Sequence, residues 1–276
     1  MRFLSLLLGF AILTCAATAP LAIFKPSISD MEDGPAVPPT FTFVAGQFLF
    51  LSFEIGGYKV SDEHKIHLST NVQAFDPKGI PLMEPAASTI DATLAEEDKN
   101  WKPKVRAQIL LPPLAGSGNY KILVSVKDDL SGSAATEPLK FEVRGRDVPP
   151  SDTLIVRNFH FYRGENDRDP LPAAAYKAGD TLWARFDITG YKFGPGNSID
   201  VDYGIAVLAS DGRVLFKQEK SEEEKSASFY PKAYVPCTMN LSLQSTIRAG
   251  QYTIVVTPRD HIGNQTYEAK ANFTIE

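Results

Sequence analysis

The chain has 276 residues, a net charge of −5 and 43% hydrophobic residues, a balance that suits a globular protein with room for more than one core. The pI is near 5.5, and no basic cluster exceeds two or three residues. The electrostatic footprint of a nucleic-acid binder is therefore missing, and attraction to anionic lipid is equally unsupported.

At the start of the chain, Arg2 precedes the apolar run Phe3 to Leu13, and small residues follow at Ala16, Ala17 and Ala19. This is the order of a secretory signal peptide, assigned to residues 1–19. The run is too short for a membrane span. Cleavage after Ala17 fits, with Cys15 three positions before the cut. Thr14 stands where a small residue is expected before a lipidated cysteine, so attachment through Cys15 is not expected. The mature protein is expected to be soluble and secreted or periplasmic. It would keep only Cys237, which has no partner for an intramolecular disulfide. Lying between Pro236 and the strand-like run Met239 to Leu243, Cys237 reads as a small buried hydrophobe.

The rest of the chain repeats itself. Ala45, Gly46, Leu49, Phe53, Ile55, Gly57, Tyr58 and Lys59 recur 133 residues later as Ala178, Gly179, Leu182, Phe186, Ile188, Gly190, Tyr191 and Lys192. Further on the spacing is 132: Gly118, Tyr120, Ile122, Val124, Asp128 and Phe141 recur as Gly250, Tyr252, Ile254, Val256, Asp260 and Phe273. The chain thus divides into module 1 (20–146), a linker (147–151) and module 2 (152–276). Pro149 and Pro150 favour an extended, semi-rigid connection across Arg144–Ser151, with few contacts crossing it.

Leu49, Leu51, Phe53 and Ile55 alternate with Phe48, Phe50, Ser52 and Glu54, and residues 181–188 alternate in the same way. Period two over eight residues predicts a half-buried strand. Strands are also predicted over 64–75, 120–126, 139–143, 198–208, 252–256 and 269–275. Asp76-Pro77-Lys78-Gly79 and Ser210-Asp211-Gly212-Arg213 read as the turns of hairpins. No amphipathic helix of ten or more residues stands out, and Thr89–Asp98 and Lys217–Ser228 read as charged loops. The fold class is all-β: two tandem antiparallel β-sandwiches.

Ala249-Gly250-Gln251-Tyr252-Thr253-Ile254, echoed by Ser117-Gly118-Asn119-Tyr120-Lys121-Ile122, resembles the tyrosine corner of immunoglobulin-like sandwiches, with isoleucine in place of the cysteine two residues on. Tyr176-Lys177-Ala178-Gly179-Asp180 is similar to the start of the second strand in such domains and in macroglobulin-type sandwiches. The resemblance is to bacterial exported Ig-like and fibronectin-III-like repeats. It implies the fold and a hydroxyl bond from each tyrosine back to the chain. It implies no function.

No fingerprint of a hydrolase, metalloprotease, P-loop or dinucleotide site is present, and His64, His67, His160 and His261 form no ligand set. No catalytic residue and no cofactor are assigned. The best cation candidate is the acidic loop with Glu165, Asp167 and Asp169, whose carboxylates would suit Ca²⁺. Arg168 intrudes, and a solvated loop is the plainer reading. Glu96-Glu97-Asp98-Lys99 leads to Trp101, and Glu222-Glu223-Glu224-Lys225 leads to Phe229 and Tyr230. Such loops would present aromatic anchors to a partner, although core packing explains the same aromatics. Phe48, Phe50 and Trp183 fall on the polar faces of equivalent strands, where sugar stacking is an alternative to cover by a loop. The expected function is a non-enzymatic binding or spacer protein with a protein or glycan partner, at the cell surface or in the periplasm. A carbohydrate-binding accessory protein is the second reading, and an enzyme with a non-standard site the third.

Overall fold

A computed structural model describes residues 20–98 and 100–276. The expected signal peptide, with Cys15, and Lys99 lie outside the described residues. Among those described, no helix is long and apolar enough to cross a membrane. The chain forms β1 (Ala22–Ser29), β2 (Thr42–Val44), β3 (Phe48–Gly56), β4 (Lys65–Phe75), β5 (Ala86–Thr93), β6 (Lys104–Leu110), β7 (Gly118–Asp128) and β8 (Ala134–Arg144) in its first half. The second half gives β9 (Ile155–Tyr162), β10 (Ala175–Tyr176), β11 (Thr181–Thr189), β12 (Ile199–Ala209), β13 (Val214–Ser226), β14 (Tyr234–Ser242), β15 (Gly250–Asp260), β16 (Gln265–Thr266) and β17 (Ala269–Ile275).

Each half is a pair of sheets. In the first, β1-β3-β6 faces β2-β8-β7-β4-β5. In the second, β14-β11-β9 faces β10-β17-β15-β12-β13, with β16 on β15. Pairing is antiparallel except for two short parallel contacts, β2 with β8 and β10 with β17. Leu49, Leu51, Phe53 and Ile55 enter the first core, and Leu182, Ala184, Phe186 and Ile188 the second. These are the alternating positions that recur, because period two commits one face of each strand to the core. Each fully buried Leu, Ile or Phe contributes about 1.5–3 kcal/mol.

The repeat extends to local irregularities. A bulge interrupts β1 after Phe24 and β9 after Arg157, and Lys25 and Asn158, both non-glycine residues with positive φ, sit in the two bulges. Gly57 and Gly190 (φ 75° and 80°) turn the chain after β3 and β11, where a side chain would be strained. Around them lies a clasp that the repeated Gly-Tyr-Lys and the distant Asp build together. The Lys59 N–H donates to Asp128 Oδ2 at 2.7 Å, and the Lys192 N–H to Asp260 Oδ2 at 2.9 Å. Asp128 is 0% and Asp260 2% exposed. Their other oxygens receive the N–H groups of Leu130 and Ser131, and of Ile262 and Gly263. Each buried carboxylate thus ties one loop to the neighbouring hairpin. Burial pulls the Asp128 carboxyl up, but the hydrogen bonds from Ser131, Lys59 and Leu130 outweigh it and hold the group below its ordinary value.

The tyrosine corners are formed. Tyr120 donates to the Gly116 carbonyl at 2.8 Å and Tyr252 to the Arg248 carbonyl at 2.7 Å. Two expectations need correction. Thr89–Asp98 and Lys217–Ser228 are not simply charged loops: Thr89–Thr93 belongs to β5 and Lys217–Ser226 to β13. Both strands are sheet edges with almost no buried side chain, so they carry no period-two apolar signal. Their lysines and glutamates suit an edge that must not pair with another chain. A short 3₁₀ turn follows β5 at Glu96–Asp98.

Candidate partner-binding groove

Among the described residues, no strand of one sandwich pairs with a strand of the other. The link is made by side chains. Arg146 donates to the buried Asp187 Oδ2 at 2.6 Å and lies over the Tyr234 ring, while Asp147 Oδ1 accepts the Ser117 N–H at 2.9 Å. The connector is therefore fastened to both sandwiches rather than free. Between β13 and β14 of module 2, Tyr230 packs against the apolar core of module 1, and its hydroxyl donates to Asp76 Oδ2 at 3.0 Å. Asp76 is the turn residue of the β4–β5 hairpin, and its Oδ1 takes the Lys78 and Ile80 N–H groups at 2.8 and 2.7 Å. One carboxylate shapes the turn and receives the neighbouring module. Burial, then the Asp76 charge, raises the Tyr230 hydroxyl far above the usual phenol range, so it stays protonated and donates.

Beside this contact runs a groove of about 680 Å³. Module 1 supplies Met83, Leu110 and Pro113, module 2 supplies Phe229 and Pro231, and Glu84, Gln108, Ser228 and Lys232 are among its polar members. Leu110 is 48% and Phe229 43% exposed. On the outer face of the three-stranded sheet, Phe48 stands directly opposite Leu110 in register, and Phe50 opposite Gln108. The Phe48 and Phe50 rings are 6.5 Å apart and tilted. The apolar surface therefore continues from the groove onto this sheet.

Of the sequence-derived candidates, the structure gathers Phe229, Tyr230, Phe48 and Phe50 near the seam and leaves two elsewhere. Trp101, 41% exposed, precedes the far end of β6, roughly 20 Å of strand from Leu110. Its carbonyl accepts the Tyr58 hydroxyl, as Lys232 accepts that of Tyr191. Trp183 is the counterpart of Phe50, half-buried between Tyr162 and Asn240 on the outer face of module 2. The sequence reading missed Asp76, Met83 and Leu110. Asp76 looked like an ordinary turn residue, and Leu110 is exposed because alternation along β6 places it on the outer face with Arg106 and Gln108.

The acidic loop after β9 is folded around an arginine. Arg185 donates to the carbonyls of Asp167, at 2.7 Å, and Glu165, while Asp167 Oδ2 accepts the Gly164 N–H. The guanidinium thereby orders the loop through its backbone carbonyls. Among the described residues, no three His, Cys, Asp or Glu side chains gather into a metal-binding group. Cys237 is buried in the second core, and burial pushes its thiol up, away from the reactive thiolate.

No family model matches the sequence, and no curated protein matches it. Among solved structures, the chain is similar to the C-terminal domain of the Streptococcus agalactiae AgI/II polypeptide BspA. That likeness has 11% identity and a TM-score of 0.32, covering 91% of this chain and 100% of the other. The C-terminal domain of the Streptococcus pyogenes antigen I/II-family protein AspA gives 11% identity and a TM-score of 0.32, covering 92% and 99%. At that level of similarity neither neighbour informs the reading of this chain.

Proposed function

We propose that this protein is a non-enzymatic binding and spacer protein acting outside the cytoplasm, and that its seam groove receives an extended apolar segment of a partner protein. The observation that carries the reading is the exposed apolar surface running from Phe229 across Leu110 to Phe48, bridging two modules whose relative position Tyr230 and Arg146 fix. Contiguous exposed apolar surface with a polar margin marks interaction sites. The sugar reading is supported less well. The groove walls offer few polar side chains to hydroxyl groups, and Trp183, half-covered, does not line the groove.

Peptide display against the purified protein tests this. Selected apolar peptides are expected to lose binding in Phe229→Ser and Leu110→Asp, with the melting midpoints held. Binding indifferent to both variants would overturn the proposal. Reproducible glycan binding lost in Trp183→Ala would replace it with the carbohydrate reading.

A further inference from the structure

Beside the groove, β6 is the last strand of the three-stranded sheet, and its outer side is unpaired. At its two ends β6 is bonded to β3. The Pro103 carbonyl accepts the Ile55 N–H at 3.0 Å, and the Leu111 N–H donates to the Gln47 carbonyl at 2.9 Å. The register between these points is unbroken. Backbone groups alternate in direction along an antiparallel strand, so Lys104, Arg106, Gln108 and Leu110 turn their N–H and C=O groups away from β3. Among the described residues, nothing bonds to these groups. Gln108 and Leu110 also line the groove. On that side the groove is therefore walled by an unpaired strand edge as well as by apolar side chains.

Most other sheet edges are guarded. β1 and β9 carry bulges, β2 and β10 have three and two residues, and β13 is dense in lysine and glutamate. The contrast is clearest at β14, the repeat counterpart of β6. There the Leu243 N–H donates to the Asp180 carbonyl, so the even-numbered positions face outward, and one of them is Pro236. A proline on an edge offers no N–H to an incoming strand. In β6 the matching position is Lys104, with its N–H in place. Lys104 stands opposite Glu54, and Arg106 is held by Asp33 at 2.8 Å, so charge guards the first half of β6. Gln108 and Leu110 have no such guard. β5 is also lightly charged, but none of its residues lines the groove.

Given that the groove receives an extended apolar segment of a partner protein, we propose that the segment binds by strand addition. About five of its residues pair with Arg106–Leu110 and extend the three-stranded sheet by one strand. A row of alternating donors and acceptors is answered by an extended polypeptide backbone, and not by a lipid chain, a sugar or a helix. Successive side chains of the added strand fall on opposite faces. One lies beside Leu110 on the outer face and continues the row that begins at Phe48. The next turns inward toward Leu82 and Met83. The segment recognised is therefore apolar at two neighbouring positions at the groove end.

Amide hydrogen exchange read by NMR on the full chain tests this, with the tightest-binding peptide from display as the probe. In the free protein the Gln108 and Leu110 amides should exchange fast and those of Ala107 and Ile109 slowly. The peptide should slow the first pair by roughly tenfold or more and leave the second pair as it was. Methylating alternate backbone nitrogens of the peptide should weaken binding about tenfold each, with the intervening nitrogens tolerant. Gln108→Pro removes one outward N–H at a position where an edge proline is accepted. It should abolish binding at an unchanged melting midpoint, and Gln108→Ala should keep it. The methylated peptides decide the matter even where the proline lowers the midpoint. Binding that is lost in Leu110→Asp yet tolerates methylation at every nitrogen, or leaves the Gln108 and Leu110 amides fast, would overturn strand addition and leave the groove reading standing. Failure of display to yield any peptide that needs Leu110 would end both. Slowing of the same amides with protein concentration alone would assign the edge to a second copy and overturn the proposal.

Discussion

Replacing Asp260 by asparagine tests the clasp that explains why Gly-Tyr-Lys and a distant aspartate recur together. Asp260 Oδ2 accepts the Lys192 N–H and the Gln265 side-chain amide, both at 2.9 Å, while Oδ1 accepts Ile262 and Gly263. Asparagine keeps one oxygen for the second pair and turns an NH₂ group toward the first. Two hydrogen bonds to a charged acceptor are lost, worth about 1.5–3 kcal/mol each, and donors now face donors. Gln265 does not escape by flipping, because its oxygen holds the Leu154 N–H at 3.0 Å. Relief of a buried charge offsets part of the loss, so the net cost is set at about 3 kcal/mol. For a module of this size, roughly 3–5 °C per kcal/mol follows, and the module 2 transition should fall by about 9–15 °C. Differential scanning calorimetry reads this directly. A midpoint within about 2 °C of wild type would refute the reasoning.

Tyr252→Phe should destabilise module 2 by about 0.5–1.5 kcal/mol, the worth of one hydroxyl bond, measured by chemical denaturation, and leave peptide binding unchanged. Residues 152–276 expressed alone should melt cooperatively with a β-rich circular dichroism spectrum, since their core is separate from that of module 1; an aggregated product would count against independent folding. Asp128 has a folded-state pKa below its unfolded value. Its contribution is therefore complete above that unfolded value and lost as pH falls through the folded one. Module 1 stability should drop as pH falls below about 4, and Asp128→Asn should flatten that part of the profile. Tyr230→Phe should leave both module melts in place while broadening the distribution of inter-module distances read by spin-label spectroscopy.

Much of the architecture was legible because the chain repeats the residues that shape it. The tyrosine corners and the alternating cores were read from identical residues at constant spacing. Strands β5 and β13 were harder, because an edge strand with no buried face has no alternation to show. The Asp76–Tyr230 contact left no trace in the repeat. Its two partners lie 154 residues apart, and the counterpart of Asp76 is Ala209, so an asymmetric contact falls where a symmetric pattern is silent. The groove followed from that contact. The aromatics Phe229 and Phe48 were visible in sequence, but Leu110, which joins them, lies on the outward-facing positions of β6, a strand too short and mixed to show its alternation. Trp101 and Phe229, which looked equivalent, part company because the β13–β14 segment meets module 1, whereas Trp101 stands at the other end of β6.

The most direct test of the central claim places a photo-crosslinking amino acid at position 229 in the producing cells. If the seam groove receives a partner protein, irradiation should give a discrete crosslinked species containing a second protein. That species should vanish when Leu110→Asp is added and persist when Trp183→Ala is added. Absence of any crosslinked protein at position 229, or one indifferent to Leu110→Asp, would contradict the account.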